Sequence, residues 1–227
     1  MTKKSQIIIA SAIVVLVVSI TITAIVMSKK VRIKNKNPKR ILFVGDSQTA
    51  IISPSGNPIF YTYPNLVKEK LKDKGIFIDV IALQGKQISW MKDELKKKLQ
   101  SNKYDRVYIY GGGNDVVSGI SNDVVIKNIQ DMVDLSIKNG ADAFVNLGYR
   151  IDNFSDINKM PLSQYVTKKE DWIPLIKRRK KLQDLLPKSI NNANFVPIYD
   201  LNGLTSDGIH PNANGHRIVA QKIIDTI

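Results

Sequence analysis

The sequence predicts an α/β fold in three layers, a five-stranded parallel sheet with helices on both faces, and three observations carry that reading. Short apolar runs recur at Ile41–Val44, Ile76–Leu83, Arg106–Tyr110, Ala143–Leu147 and Phe195–Tyr199, the length of strands rather than helices. Longer stretches with apolar residues at helical spacing separate them. Strand–helix alternation needs crossovers that leave the sheet parallel and covered on both faces. Glycine and polar residues follow the runs directly, at Gly45-Asp46-Ser47, Gln84-Gly85 and Gly111-Gly112-Gly113-Asn114-Asp115. In an open parallel sheet those strand ends share the edge where ligands bind.

The chain of 227 residues suffices for one α/β domain of ordinary size with a tail before it. The net charge is +14, but residues 1–40 hold nine Lys/Arg and no acidic residue, which leaves +5 on residues 41–227. A basic excess concentrated in a tail does not point to a nucleic-acid-binding domain, and no such partner is expected. The absence of cysteine excludes disulfides, zinc–thiolate sites and a lipidated cysteine.

The tail divides into three parts. Residues 1–5 are a short basic start. Gln6–Met27 is a run of 22 uncharged residues rich in Ile, Val and Ala. As a helix it spans roughly 33 Å, the thickness of a bilayer core. A cleavable signal peptide is the alternative, but the run exceeds a usual apolar signal core and Val26-Met27-Ser28 is only a passable cleavage site. We expect a single-pass transmembrane anchor at 6–27 and a basic linker at 28–40. Lys29, Lys30, Arg32, Lys34, Lys36, Lys39 and Arg40 would, by the positive-inside rule alone, hold the following domain in the cytoplasm. Large domains translocate despite such charge, and the linker can then lie against anionic head groups or wall polymers. The expected arrangement is a membrane protein with domain 41–227 on the extracytoplasmic side.

Within that domain, Ile41-Leu42-Phe43-Val44 runs straight into Gly45-Asp46-Ser47-Gln48, a buried strand whose closing turn raises a serine at its C-terminal end. Ile52–Pro58 is a turn-rich insertion placed to rim the site. Tyr63–Lys74 reads as a helix with Leu66, Val67 and Leu71 on one face, and Ile88–Leu99 as a second with Ile88, Met91, Leu95 and Leu99. Ser121–Lys138 is a third, ended by Asn139-Gly140 as its C-cap. Residues 149–169 are polar and irregular, long enough for a lid or pocket wall. Asp171–Leu186 is a further helix. Its Lys177-Arg178-Arg179-Lys180-Lys181 run is expected on a solvated face, with phosphate binding as the rival role. Pro211 suits the first position of a last helix reaching Ile227.

Serine hydrolysis needs a nucleophile, an imidazole base, a carboxylate to orient it and donors for an oxyanion. Ser47 follows the first strand, Gly85 the second and Asn114 the third, while Asp207 and His210 follow the fifth. Gly45-Asp46-Ser47, Gly85, Gly112-Gly113-Asn114-Asp115 and Asp207-Gly208-Ile209-His210 resemble, in order, the four sequence blocks of the SGNH (GDSL-type) hydrolases. Tyr63-Pro64, Pro211-Asn212 and Gly215 resemble that family too, and the likeness spans residues 41–227. It implies the flavodoxin-like SGNH hydrolase fold, with Ser47 as nucleophile, His210 as base and Asp207 as its orienting carboxylate. It further implies an oxyanion hole made by Ser47 N–H, Gly85 N–H and the Asn114 side-chain amide. No cofactor or metal is implied. Two positions depart from the family pattern: Gln48 stands where Leu is nominal and is read as neutral, and Leu83-Gln84 stands where an Asn usually precedes the glycine.

Other assignments compete for some of these residues. His216, the second histidine, is the rival base but is expected to be a surface or packing residue. Asp46 and Asp115 read as acceptors that stabilise turns. Gly111–Gly113 is no P-loop, because no Lys-Ser/Thr pair follows it. The expected function is a membrane-anchored esterase that removes small acyl groups such as acetyl from a carbohydrate or cell-envelope polymer. A lysophospholipase or thioesterase acting on a lipid or other ester-bearing molecule is the rival on the same site. A catalytically silent binding domain on the same fold is the rival of another class.

Overall fold

Side chains alternate between the two faces of a strand, and in β1 (Arg40–Gly45) that alternation sends Leu42 and Val44 into one core and Ile41 and Phe43 into the other. The computed structural model describes residues 33–34, 36–150, 154–201 and 203–227. Along the chain, β1 is followed by α1 (Tyr63–Leu71), β2 (Phe77–Ala82), α2 (Ile88–Ser101), β3 (Arg106–Tyr110) and the short α3 (Gly113–Val117). Next come α4 (Asn122–Asn139), β4 (Asp142–Asn146), β5 (Tyr149–Arg150), α5 (Trp172–Ser189), β6 (Asn194–Val196), β7 (Tyr199–Asp200) and α6 (Ala213–Ile224). Five of the strands form one sheet in the order β2-β1-β3-β4-β6, with every pairing parallel.

Helices α2, α4 and α5 cover one face through Met91, Leu95, Ile129, Met132, Leu182 and Leu186. Helices α1 and α6 cover the other through Val67, Leu71, Val219 and Ile223. Each such side chain, fully buried, contributes about 1.5–3 kcal/mol, so the amphipathic stripes seen in the sequence are what hold the three layers together. The strand order reverses between β1 and β3. A reversal of this kind opens a crevice at the C-terminal edge of the sheet, and the turns after β1 and β3 carry Ser47 and Asn114.

The structure departs from the sequence expectations at several boundaries. The predicted strand Phe195–Tyr199 is split, because Pro197 has no N–H to continue the ladder. Its two ends become β6 and β7, and β7 pairs with β5 outside the main sheet, inside the region expected to be irregular. Helix α6 starts at Ala213 rather than Pro211. Asn212 Oδ1 accepts from Asn214 N and Gly215 N, both at 3.0 Å, and so takes the N-cap. Pro211 instead lies in an antiparallel bridge with Thr205. Helix α1 stops at Leu71 and gives way to a single 3-10 turn, Lys72–Lys74.

The compact unit runs from Ile33 to Ile227 and therefore takes in the end of the stretch expected to be linker. Ile33 packs on the α1–α6 core, and Lys34 N–H donates to both carboxylate oxygens of Asp142 at 3.0 and 3.2 Å. Among the described residues no helix is long and apolar enough to cross a membrane. The expected anchor at 6–27 lies outside them.

Candidate active site

The turn after β1 is shaped by the absence of a side chain at Gly45. A Cβ there would sit 2.1 Å from Thr49 Oγ1 and 2.8 Å from the Tyr110 carbonyl oxygen, so β1 and β3 close together only around glycine. Thr49 N and Ala50 N both donate to Asp46 O at 3.0 Å, which winds the chain tightly past Ser47. The Asp46 carboxylate accepts Gln48 N at 3.0 Å, the turn-stabilising role expected of it. Burial pushes the Asp46 carboxyl up, against the Gln48 hydrogen bond and the positive charge of His210 and Arg179.

Ser47 Oγ lies 2.8 Å from His210 Nε2, and His210 Nδ1 lies 2.7 Å from Asp207 Oδ2. With its proton on Nδ1, donated to Asp207, the neutral imidazole leaves Nε2 free to accept from the Ser47 hydroxyl. The other Asp207 oxygen accepts His210 N at 2.7 Å and Ile209 N at 2.9 Å, so one carboxylate fixes both the ring and the backbone that carries it. Partial burial pushes Asp207 up, but the hydrogen bonds from His210 outweigh it and hold its pKa at about 2. The bond to Asp207 raises the pKa of His210 above the ordinary histidine value, against the opposing effect of burial.

His216, the other histidine, is buried in α6, and its Nδ1 accepts Tyr63 N at 3.2 Å. Burial and the neighbouring His210 lower its pKa to about 4, which keeps it neutral and in a packing role.

Asn114 opens α3 behind Gly112. Its Nδ2 donates to Lys86 O at 3.0 Å, which uses one of the two amide hydrogens and sets the direction of the other. The neighbouring Asp115 carboxylate accepts Ile88 N at 3.0 Å and ties α3 to the start of α2, again as a structural acceptor. Ser47, Asn114 and His210 line one cavity of about 210 Å³. Gly85 lies one residue before the Lys86 that Asn114 holds, with φ +71°, and does not line that cavity.

Asp46, Gln48 and Arg179 also reach the cavity, but most of its surface is apolar. Val116, Val117, Trp172, Leu175, Ile176 and Ile209 supply most of its wall, and Pro161 and Ser163 close it from the segment expected to be a lid or wall. Trp172 Nε1 donates to Pro161 O at 3.1 Å, which couples that segment to α5. The Ile52–Pro58 insertion folds as a small antiparallel turn whose Ile52 carbonyl accepts from Gln84, beside the β2–α2 loop and off the cavity wall.

The model of the GDSL-like lipase/acylhydrolase family matches residues 43–218. The chain belongs to this family. The solved structures that this GDSL-like hydrolase resembles include TesA, at 20% identity over 82% of this chain and 97% of that one, with a TM-score of 0.58. The psychrotrophic esterase EstA from Pseudoalteromonas sp. is 16% identical over 82% and 95% of the two chains, with a TM-score of 0.59. The acetyl xylan esterase AlAXEase is 21% identical over 83% and 99%, with a TM-score of 0.55. At these identities the likeness is one of fold. No curated protein matches the chain.

Three residues in and around the hydrolase's site differ from their sequence reading. Arg178 and Arg179 leave the solvated face expected for the 177–181 run. Arg178 Nη1 donates to Val116 O at 3.2 Å, and the Arg179 guanidinium lies 4.8 Å from the Tyr149 ring centre and lines the cavity. Nothing within the run itself marked Arg179 apart from its lysine neighbours. Gln48, read as neutral, is buried and makes three hydrogen bonds. A polar residue where the family has an apolar one was its signal.

Proposed function

We propose that this GDSL-like hydrolase is a membrane-anchored serine esterase in which Ser47, His210 and Asp207 form the catalytic triad. The observation that carries the proposal is the hydrogen-bonded chain from Ser47 Oγ to His210 Nε2 and from His210 Nδ1 to Asp207, at 2.8 and 2.7 Å, beside an apolar cavity. Ser47 Oγ attacks the ester carbonyl carbon while its proton passes to His210 Nε2. The imidazolium, balanced by the Asp207 carboxylate, then protonates the departing alkoxide. Water attacks the acyl-enzyme with His210 again taking a proton, and the acid leaves as Ser47 is restored. The second Asn114 amide hydrogen and the Ser47 N–H stabilise the oxyanion, with Gly85 N–H as the third donor that the family resemblance implies. Loss of one such donor typically costs about 3 kcal/mol of transition-state stabilisation.

Two acyl groups are supported by different observations. An acetyl ester on a carbohydrate or cell-envelope polymer fits the expected anchor at 6–27, an extracytoplasmic domain and the likeness to a protein named as an acetyl xylan esterase. The cavity supports the second reading, a longer acyl chain on a lipid or thioester. An apolar cavity of about 150 Å³ holds a benzene ring, and this one is about 210 Å³, more than an acetyl methyl fills. A p-nitrophenyl ester series from acetyl to dodecanoyl separates the two. A maximum at acetyl supports the first, a maximum near hexanoyl to octanoyl the second, and no turnover of any member contradicts the esterase assignment. Protease accessibility on intact cells tests the side of the membrane.

A further inference from the structure

The nucleophile and the base reach each other from turns 163 residues apart in the chain. The Asp207–His210 loop makes several bonds within itself. Ser206 N donates to His210 O at 2.8 Å, Ser206 Oγ donates to the same oxygen at 3.2 Å, and Asp207 accepts Ile209 N and His210 N. These bonds give the loop its shape but do not fix its place relative to Ser47. The Gln48 side chain is positioned to do that. Its Nε2 donates to Ile209 O at 3.3 Å, on the residue next to the base, and its Oε1 accepts from Tyr110 OH at 2.7 Å, at the end of β3.

We infer that the Gln48 carboxamide is a positioning strut that holds the Asp207–His210 loop in register with the Ser47 turn. The inference rests on the triad proposed above. The amide cannot usefully turn over. Ile209 O can only accept, so a reversed amide would face it with a second carbonyl oxygen. Tyr110 is buried, which drives its ionisation well above the usual range and keeps its hydroxyl a donor. Gln48 N donates to the Asp46 carboxylate at 3.0 Å, so the backbone from which the strut projects is held as well. Leucine, the family's nominal residue, has neither group and would leave Ile209 O and Tyr110 OH without this partner.

The test is Gln48→Leu, with Tyr110→Phe and the double variant, assayed on a p-nitrophenyl ester and by the rate of fluorophosphonate labelling per folded molecule. A reacting group displaced by about 1 Å costs up to roughly 100-fold. We therefore expect kcat and labelling rate to fall roughly 10- to 100-fold in Gln48→Leu, with a much smaller change in KM. Tyr110→Phe should lose less, and the double variant should be no worse than Gln48→Leu, the non-additivity expected of one connected unit. Gln48→Glu, isosteric but repelled by Ile209 O, should lose at least as much as Gln48→Leu while folding. A Gln48→Leu protein with wild-type kcat and labelling rate overturns the strut. So does a loss confined to melting temperature, with labelling per folded molecule unchanged. If wild type itself neither labels nor turns over, the triad and the strut fall together.

Discussion

Ser47 and His210 meet at 2.8 Å, yet the turn carrying the first is locked into the central sheet, while the loop carrying the second lies outside it and leans on its own local bonds and on Gln48. Around Ser47, strand β1 ends between β2 and β3, Gly45 admits no Cβ, and two successive N–H groups close on Asp46 O. Around His210, by contrast, a single carboxylate organises ring and backbone, and Gln48 reaches over from the other turn. A turn built from main chain and core tolerates little change in shape. A loop outside the sheet, held by a few local bonds, can be displaced by one substitution without unfolding the domain. Damage at the first turn should therefore appear mainly as lost stability, and damage at the second as lost rate.

The largest effect should come from Asp207→Asn, which removes the group that orients the imidazole. kcat/KM should drop on the order of 10⁴-fold with the fold retained, as circular dichroism would check. The pH profile of the residual activity gives a second readout. His210 must be neutral to accept the serine proton, and its hydrogen bond to Asp207 raises its pKa. Wild-type activity should therefore fall, as pH drops, through a value above the ordinary histidine pKa of 6.5. In Asp207→Asn that limb should move to lower pH, and an unmoved limb would assign it to another group.

Asn114→Ala comes next. It should lower kcat roughly 10²- to 10³-fold, as loss of an oxyanion donor does, with a smaller change in KM in steady-state assays. An equal loss in a substrate-free property such as melting temperature would instead make its bond to Lys86 O the whole of its role. The smallest effect on rate belongs to Gly45→Ala. A Cβ pressed against Thr49 and the Tyr110 carbonyl should cost about 1–3 kcal/mol of stability, a fall of several degrees in melting temperature. Its surviving folded fraction should label with fluorophosphonate far faster than Asp207→Asn. Equal damage by the two would erase the contrast between the turns.

The same contrast decides what was legible in the sequence. The five sheet strands and the main helices could be read because their apolar periodicity is local and the core follows it. Ser47 and Asn114 could be read as neighbours because parallel strands deliver their ends to one edge, and Asp207 and His210 because they complete the family's blocks, although the strand before them lies outside that sheet. Pro197 and Asn212 act locally against the apolar pattern, and they moved the end of a strand and the start of a helix. Gln48 and Arg179 were beyond local reading. The bond from Gln48 to Ile209 spans 161 residues, and Arg179 sits in a basic run whose Lys177, Lys180 and Lys181 do face solvent. Gly85 matched a family block, and its loop meets Asn114 through Lys86 O, although Gly85 itself does not line the cavity that Ser47 and Asn114 share.

The claim on which everything else depends is that Ser47 is the nucleophile. The most direct measurement is mass spectrometry of the protein after a fluorophosphonate, intact and after proteolysis, beside Ser47→Ala. The account predicts one adduct per chain, mapped to Ser47, and none on the variant. No adduct on the wild type, or an adduct on another residue that persists in Ser47→Ala, would contradict it.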